Sequence, residues 1–410
     1  MNILFLSTWY PHPVDNGSKL RVNYLLRSLG RSHQVTLISF VFGSAQTEAS
    51  IALTEYCREI QVVTMDPFAA NRASSLRTFI SLRPMANRPH PVMSKLVARS
   101  LQEHSFDVVI VSTGMMMDYA RFIPKGTVIV LEEHNSLTRW SWEKYRAAGN
   151  AFQRARRWLS WYKIRRYEAH TFSRFDLITM VSDADRLATM DGIGALDKRV
   201  EVVPNGADCG WNIPGLATPR PNSLVFSGSL TYSANYDAMR WFLVHVYPLL
   251  KSQQPQVSLT ITGSTYGVNL DQLALDESIV VTGFVEDVRV PIAEAVVSVV
   301  PIWQGGGTRL KILEAMALGT PVVATTKGAE GLEVVDGEHL LLADTPHAFA
   351  SAVLGLLADA DARARLARNA RYLVETQYDW AAIGDRFVRL VENVVEKRNA
   401  PPVRGGRSDG

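Results

Sequence analysis

The feature that most constrains this chain is a run of short, continuous apolar segments, each followed by a helical pattern, repeated in two series. In the first series strands are expected at 2–7, 35–40, 60–64, 107–112, 127–131 and 177–181. The stripe Leu20, Tyr24, Leu25 and Leu29 marks a helix over 18–30. Strands that are apolar throughout, rather than alternating, suit a parallel sheet covered on both faces. Pro204-Asn205-Gly206 supplies turn chemistry and divides the series. The second series places strands at 224–227, 257–261, 279–282, 296–301, 321–324 and 339–342. Its helices fall at 237–250, 287–293, 308–318, 347–358, 360–376 and 379–398. The expectation is an α/β chain with two Rossmann-like, doubly wound domains, 1–203 and 204–376. A terminal helix, 377–398, and a Pro/Gly/Arg-rich disordered tail, 399–410, complete it. Two such domains would face each other across a cleft at the carboxyl ends of their strands, where doubly wound sheets bind ligands.

Composition removes several alternatives. With 410 residues, 47 % apolar and 20 % charged, the chain has material for real cores. A formal charge of +3 is too small for a whole-protein polyanion binder, and no nucleic-acid partner is expected. Two cysteines, Cys57 and Cys209, cannot build a disulfide framework, which points to a reducing compartment. No CxxC or HExxH spacing occurs, and no metal site is expected. The apolar start is broken by Trp9-Tyr10-Pro11-His12-Pro13 before a signal core is complete, and no run is long enough to span a bilayer. A cytoplasmic protein is the expectation.

The stretch with most chemistry is Pro301-Ile-Trp-Gln-Gly-Gly-Gly-Thr-Arg-Leu-Lys-Ile-Leu-Glu314. A buried strand feeds Gly305, Gly306 and Gly307, and a helix starts at once. Glycines let a ligand approach the backbone, while free amides and the helix dipole favour a phosphate there. Glu314 lies seven residues past Gly307, hence ~10 Å along a helix, about the reach from a diphosphate to its ribose. Arg309 and Lys311 stand where the dipole disfavours cations, which an anionic ligand would explain. A tight turn with solvated surface charges is the plain alternative. No GxGxxG or GxxxxGK[ST] fingerprint occurs.

Gly306 through Thr325, with Val202-Val-Pro-Asn-Gly206 and Gly283-Phe-Val-Glu-Asp287, resembles a family-four retaining glycosyltransferase of the GT-B fold, glycosyl transferases group 1. The resemblance implies transfer of a sugar from a nucleoside-diphosphate sugar to a glycan or polyprenyl-linked acceptor, with retention and with neither metal nor cofactor. It assigns donor binding to Gly17, Gly228, Gly283, Phe284, Val285, Gly305, Gly306, Gly307, Thr308 and Glu314. His134, at a strand end, falls beside the transferred sugar, and Arg309 and Lys311 serve the diphosphate. The family's first motif glutamate falls at Gly306. An arginine and a lysine usual after Gly228 are here replaced by Ser229 and uncharged residues near Asn235. A nucleotide-sugar epimerase and a non-catalytic sugar-nucleotide-binding module share these features and stay open. Lys19 and Arg21 are read as solvated or ligand-facing, and Asp183-Ala-Asp185 and Asp359-Ala-Asp361 as helix caps rather than metal motifs.

Residues 139–166 carry nine Lys/Arg against Glu143 alone, with four of the nine tryptophans. Ala155, Trp158, Leu159 and Tyr162 form an apolar stripe. Either this helix packs into a core, or it lies on an anionic membrane surface and makes the protein peripheral on the cytoplasmic face of the membrane.

Overall fold

The computed structural model describes residues 1–42, 53–68, 89–193, 200–305 and 309–399. They form two compact units, Met1–Val203 with the residues from Gly384 onward, and Pro204–Ile383. Gly306, Gly307, Thr308 and the tail beyond residue 399 lie outside the described residues.

The first unit holds β1 (Asn2–Ser7), α1 (Gly17–Gly30), β2 (Gln34–Val41), β3 (Glu59–Thr64), α2 (Pro91–Glu103), β4 (Val108–Ser112), β5 (Val128–Glu132), α3 (Leu137–Arg146), α4 (Ala151–Phe172), β6 (Leu177–Met180), α5 (Asp183–Ile193) and β7 (Val200–Val202). All its paired strands are parallel, in the order β3-β2-β1-β4-β5-β6-β7. Val108, Val109, Ile110 and Val111 of β4 are fully buried, each side chain contributing about 1.5–3 kcal/mol over exposure. This is why β4 reads as an unbroken apolar run. Asn16 caps α1, its side chain accepting from the Lys19 amide at 3.0 Å. The helix ends at Gly30, where the Tyr56 backbone passes too close to admit a Cβ.

The second unit holds β8 (Ser223–Ser227), α6 (Ser233–Trp241), α7 (Tyr247–Gln253), β9 (Ser258–Thr262), β10 (Ile279–Gly283), α8 (Arg289–Ala293), β11 (Val297–Val300), α9 (Leu310–Ala317), β12 (Val322–Ala324), β13 (Leu341–Leu342), α10 (Pro346–Ala358) and α11 (Ala360–Gln377), followed by the start of α12 (Trp380–Asn399). Its parallel sheet runs β10-β9-β8-β11-β12-β13. Each sheet reverses strand order once, between β1 and β4 and between β8 and β11. Ligands of doubly wound sheets bind outside the carboxyl ends at such points.

The helix expected over 237–250 differs. It begins at Ser233, widens to a π-helical stretch over Phe242–Val246, and resumes as α7 with a proline in its first turn. Pro248 has no amide to give to a regular helical bond, and the wider turn absorbs the mismatch. Residues 384–399 belong to the first unit, with ion pairs Arg31–Asp385 at 2.7 Å and Arg398–Asp176 at 2.9 Å and a His33–Glu392 contact at 3.1 Å. Cys57 and Cys209 are free thiols, one buried in each unit, and burial pushes them up to about 12 and about 11. Among the described residues no helix is long and apolar enough to cross a membrane.

Candidate active site

At the carboxyl edge of the first sheet, β5 delivers Glu132, Glu133 and His134. Arg21 of α1 is only 1 % exposed, and its Nε donates to Glu132 Oε1 at 2.5 Å. Ser112 at the end of β4 donates to Glu132 Oε2 at 2.7 Å. The same oxygen lies 3.1 Å from His134 Nε2, while His134 Nδ1 lies 3.1 Å from Ser18 Oγ. Burial alone would raise the Glu132 carboxyl. The charges of His134 and Arg21, with hydrogen bonds from His134 and Ser112, outweigh it and hold Glu132 well below the usual carboxylate range. An ionised Glu132 accepts a hydrogen bond from the Nε2–H, so the ring orientation is fixed and Nδ1 is the nitrogen directed to Ser18. Through Ser18 the start of α1, opened by Gly17, comes to His134.

The reading of Lys19 and Arg21 as solvated is overturned. Lys19 is buried and bonded to Asp15 at 2.9 Å, and Arg21 is the counter-charge of Glu132. Glu132, and the role of Arg21 as its counter-charge, escaped the sequence reading, although a signal was present. Arg21 shares the face of Leu25 and Leu29 at four-residue spacing, where a cation needs a buried partner. Behind them sit Glu133 and Glu168. Burial, then repulsion by Glu168 and Glu132, pushes Glu133 well above its ordinary value; burial pushes Glu168 up to about 7.

In the second unit, Gly228 follows β8 and the glycine loop follows β11, at the two strands flanking the reversal of order. Lys311, on the first turn of α9, reaches back to β8. Its Nζ donates to Asn235 Oδ1 at 3.1 Å and lies 3.9 Å from the centroid of the Phe226 ring. A Cβ at Gly228 would collide with that Nζ and with the Asn235 amide, so only glycine leaves the ammonium its slot. Burial and the neighbouring Arg309 guanidinium pull Lys311 down to about 7. The place after β8 that carries no cation in sequence is therefore filled in space by a lysine 76 residues away.

Arg309 differs from the solvated cation of the plain reading, for it is buried. It stands just before α9, and its Nη2 donates to Gly305 O at 2.6 Å. Gly305 has φ 99°, and a Cβ there would meet Tyr232 Oη at 2.6 Å. Gln304 Nε2 donates to Asp237 Oδ2 at 2.6 Å, so α6 and Arg309 together hold the chain at Gln304 and Gly305. Half-buried Glu314 shares the helix with Lys311; burial raises its carboxyl and the Lys311 charge opposes the rise. Gly283 ends β10 with φ 71° and presents Phe284, 72 % exposed, with half-buried Val285 beside it.

Of the acid-x-acid pairs, Asp359 caps α11 through the Ala362 amide at 2.9 Å. At α5 the cap is instead Ser182, whose Oγ accepts from the Asp185 amide at 3.1 Å, while buried Asp185 accepts from Ser182 Oγ at 2.8 Å and Asp183 pairs with Arg186 at 2.9 Å. The basic segment forms α3 and α4, and its apolar stripe is not packed in a core. Phe152 is 78 % and Trp158 46 % exposed, Ala155 is exposed, and Trp158 stacks on Tyr162 with ring centroids 5.6 Å apart.

Two doubly wound parallel sheets, each gathering polar groups at its strands' carboxyl ends, define a GT-B fold. HepE from Anabaena, solved with UDP and glucose, shares it at TM-score 0.68 and 17 % identity, over 95 % of this chain and 99 % of that one. Sucrose-phosphate synthase from Thermosynechococcus elongatus shares it at TM-score 0.72 and 17 % identity, over 97 % and 99 %. Residues 16–211 match the family model "Glycosyltransferase Family 4" and residues 221–359 match "Glycosyl transferases group 1". The chain belongs to the group 1, family-four type glycosyltransferases. Phosphatidyl-myo-inositol mannosyltransferase from Mycolicibacterium smegmatis is 30 % identical over 226 residues, 52 % of this chain and 56 % of that protein. The chain spans 42 %, 22 % and 56 % of the length of the curated relatives it matches.

Proposed function

We propose that this chain transfers a sugar from a nucleoside-diphosphate donor to a glycan or polyprenyl-linked acceptor of a cell-envelope or capsular polysaccharide, with retention and without a metal ion. The observation that carries the reading is the half-buried Lys311 ammonium lodged between Gly228 and Asn235 at the strand-order reversal of the second sheet. A desolvated cation without an ion-paired carboxylate among the described residues is costly unless an anion arrives. Lys311 serves the donor diphosphate, and Arg309 keeps Gly305 in the shape that receives it. Glu314 accepts hydrogen bonds from the ribose hydroxyls. Gly283, Phe284 and Val285 meet the base, with Gly306, Gly307, Thr308 and Gly17 completing the phosphate contacts. His134, oriented by Glu132, contacts the transferred sugar.

In the reaction the acceptor oxygen bonds to the anomeric carbon as the bond from that carbon to the diphosphate breaks on the same face. The acceptor proton passes to the departing phosphate oxygen, whose developing charge Lys311 stabilises. The UDP and glucose named with HepE support a sugar nucleotide as donor.

The test is nucleoside-diphosphate release from a panel of nucleotide sugars, with and without polyprenyl-linked acceptors. Acceptor-dependent release is expected, undiminished by EDTA. Isomerisation of the donor without acceptor would make the protein an epimerase; binding with no turnover would make it a sugar-nucleotide-binding module. Glu314→Ala should weaken free nucleoside diphosphate by about 1.5–3 kcal/mol per lost charge-assisted bond, read by calorimetry.

Exposed Phe152 and Trp158 among Arg154, Arg156 and Arg166 support peripheral attachment to an anionic bilayer. Sedimentation with anionic vesicles, weakened by salt and abolished by Arg154, Arg156 and Arg157→Gln, is expected. Indifference to anionic vesicles at low salt would end that part of the reading.

A further inference from the structure

The second unit has another pocket at the carboxyl edge of its sheet, of about 580 Å³, within the range of roughly 300–1,000 Å³ typical of small-molecule sites. Three adjacent strands build it: Trp303 follows β11, Thr326 and Lys327 follow β12, and Asp344 follows β13. Trp303 is 39 % exposed, and its indole is braced edge-on by Trp241 at 5.0 Å, itself edge-on to Phe349 at 6.2 Å. One aromatic face is thus held still while remaining open to a ligand. Opposite chemistry lines the rest. Lys327 Nζ pairs with Glu330 Oε2 at 2.5 Å, and Asp344 accepts from the Thr326 amide at 2.8 Å and its hydroxyl at 2.6 Å. Leu332, Val334 and Leu342 supply apolar wall.

A braced indole beside an ammonium–carboxylate pair matches few ligand classes. A pyranose has a face of C–H bonds, whose positive edges suit the negative face of an indole. It also has a rim of hydroxyls that each donate and accept. A neighbouring pair of these satisfies one carboxylate and one ammonium at once. A phosphate would be opposed by Glu330 and Asp344, and a purely apolar ligand would leave the Lys327–Glu330 pair desolvated.

We propose that this pocket is a hexose subsite, with Trp303 as the stacking platform and Lys327 and Glu330 as the hydroxyl-reading pair. The proposal rests on the sugar-nucleotide reading of the neighbouring glycine loop, two residues downstream of Trp303. The hexose comes from one of two sources, the sugar of the donor or a sugar unit of the acceptor.

The experiment follows the indole N–H resonance of Trp303, assigned by its loss in Trp303→Phe. The intact chain is titrated with UDP and GDP, with UDP-glucose and GDP-mannose, and with free glucose, mannose and galactose. Movement with sugar nucleotides but not with the nucleoside diphosphates assigns the hexose to the donor; movement with free sugars alone assigns it to the acceptor. Glu330→Gln, which keeps the side-chain volume, should raise KM for the corresponding substrate at least ten-fold while leaving UDP or GDP affinity within two-fold. An unmoved Trp303 signal with every sugar probe, together with unchanged constants in Glu330→Gln, overturns the subsite even in an enzyme that transfers sugar. Should the wild type bind no nucleotide at all, the donor reading fails separately. The Trp303 response to free sugars then decides the pocket on its own.

Discussion

The carboxyl edges of the two sheets handle charge in opposite ways. In the first unit Arg21, Glu132, Ser112 and His134 satisfy one another, so a shape is held before any ligand arrives. In the second unit, among the described residues, Lys311 donates to an amide oxygen and lies against an aromatic ring, with the Glu314 charge nearby but no carboxylate in ion-pair contact. The first arrangement stores stability and orients a side chain. The second gives up stability and keeps an attraction in reserve for an anion. A group buried with its counter-charge is a structural element; one buried without it is a receptor.

The largest effect should come from breaking the first arrangement. Arg21→Ala leaves Glu132 charged and buried, and should cost about 3–5 kcal/mol in denaturant unfolding. Arg21→Met with Glu132→Gln should recover most of that while disordering His134. A loss confined to activity in Arg21→Ala would mean that the pair contributes nothing to folding.

Next in size is the pH response of the layer behind it. Glu168 has its folded value raised to about 7, so the stability it lends is present below the ordinary glutamate value near 4.5 and is lost as pH rises to 7. Wild type should lose up to about 3 kcal/mol across that window through Glu168, and the slope should be shallower in Glu168→Gln, where Glu133 alone of the two still contributes. Parallel curves for the two proteins would refute it.

Lys311→Ala should reverse the pattern of Arg21→Ala. Nucleoside-diphosphate affinity should fall ten- to hundred-fold, about 1.5–3 kcal/mol, with thermal stability of the free protein level or raised. Because the ammonium form binds the diphosphate, wild-type affinity should decline as pH rises above about 7. Equal affinity at pH 6 and pH 8.5 would remove Lys311 from the site. Asn235→Ala should show the smallest change, about 0.5–1.5 kcal/mol of affinity, since Lys311 loses one neutral partner and keeps its charge. An effect as large as that of Lys311→Ala would make Asn235 a ligand in its own right.

Much of the fold was legible because buried parallel strands announce themselves as unbroken apolar runs, and β1 through β6 and β8 through β13 fall close to where those runs predict. Helices whose faces are neither apolar nor capped in an obvious way gave less signal. The helix α2, with its proline start, had no assigned place in the alternation. The break at Phe242–Val246 followed from Pro248, a residue present in the sequence but assigned to a continuous helix. For the site, glycines and Glu314 were legible through local spacing. The contacts that give Lys311 and His134 their character were not, since Lys311 meets Asn235 across 76 positions and Arg21 meets Glu132 across 111. Nothing local encodes such a meeting; only the register of the two sheets does.

The burial of one thiol in each unit has a practical side. A cysteine held near 11 or 12 and shut from solvent reacts with a disulfide reagent only when its surroundings open. Cys57 therefore keeps time for the first unit and Cys209 for the second, and the two labelling rates report in one experiment whether the units loosen together or apart.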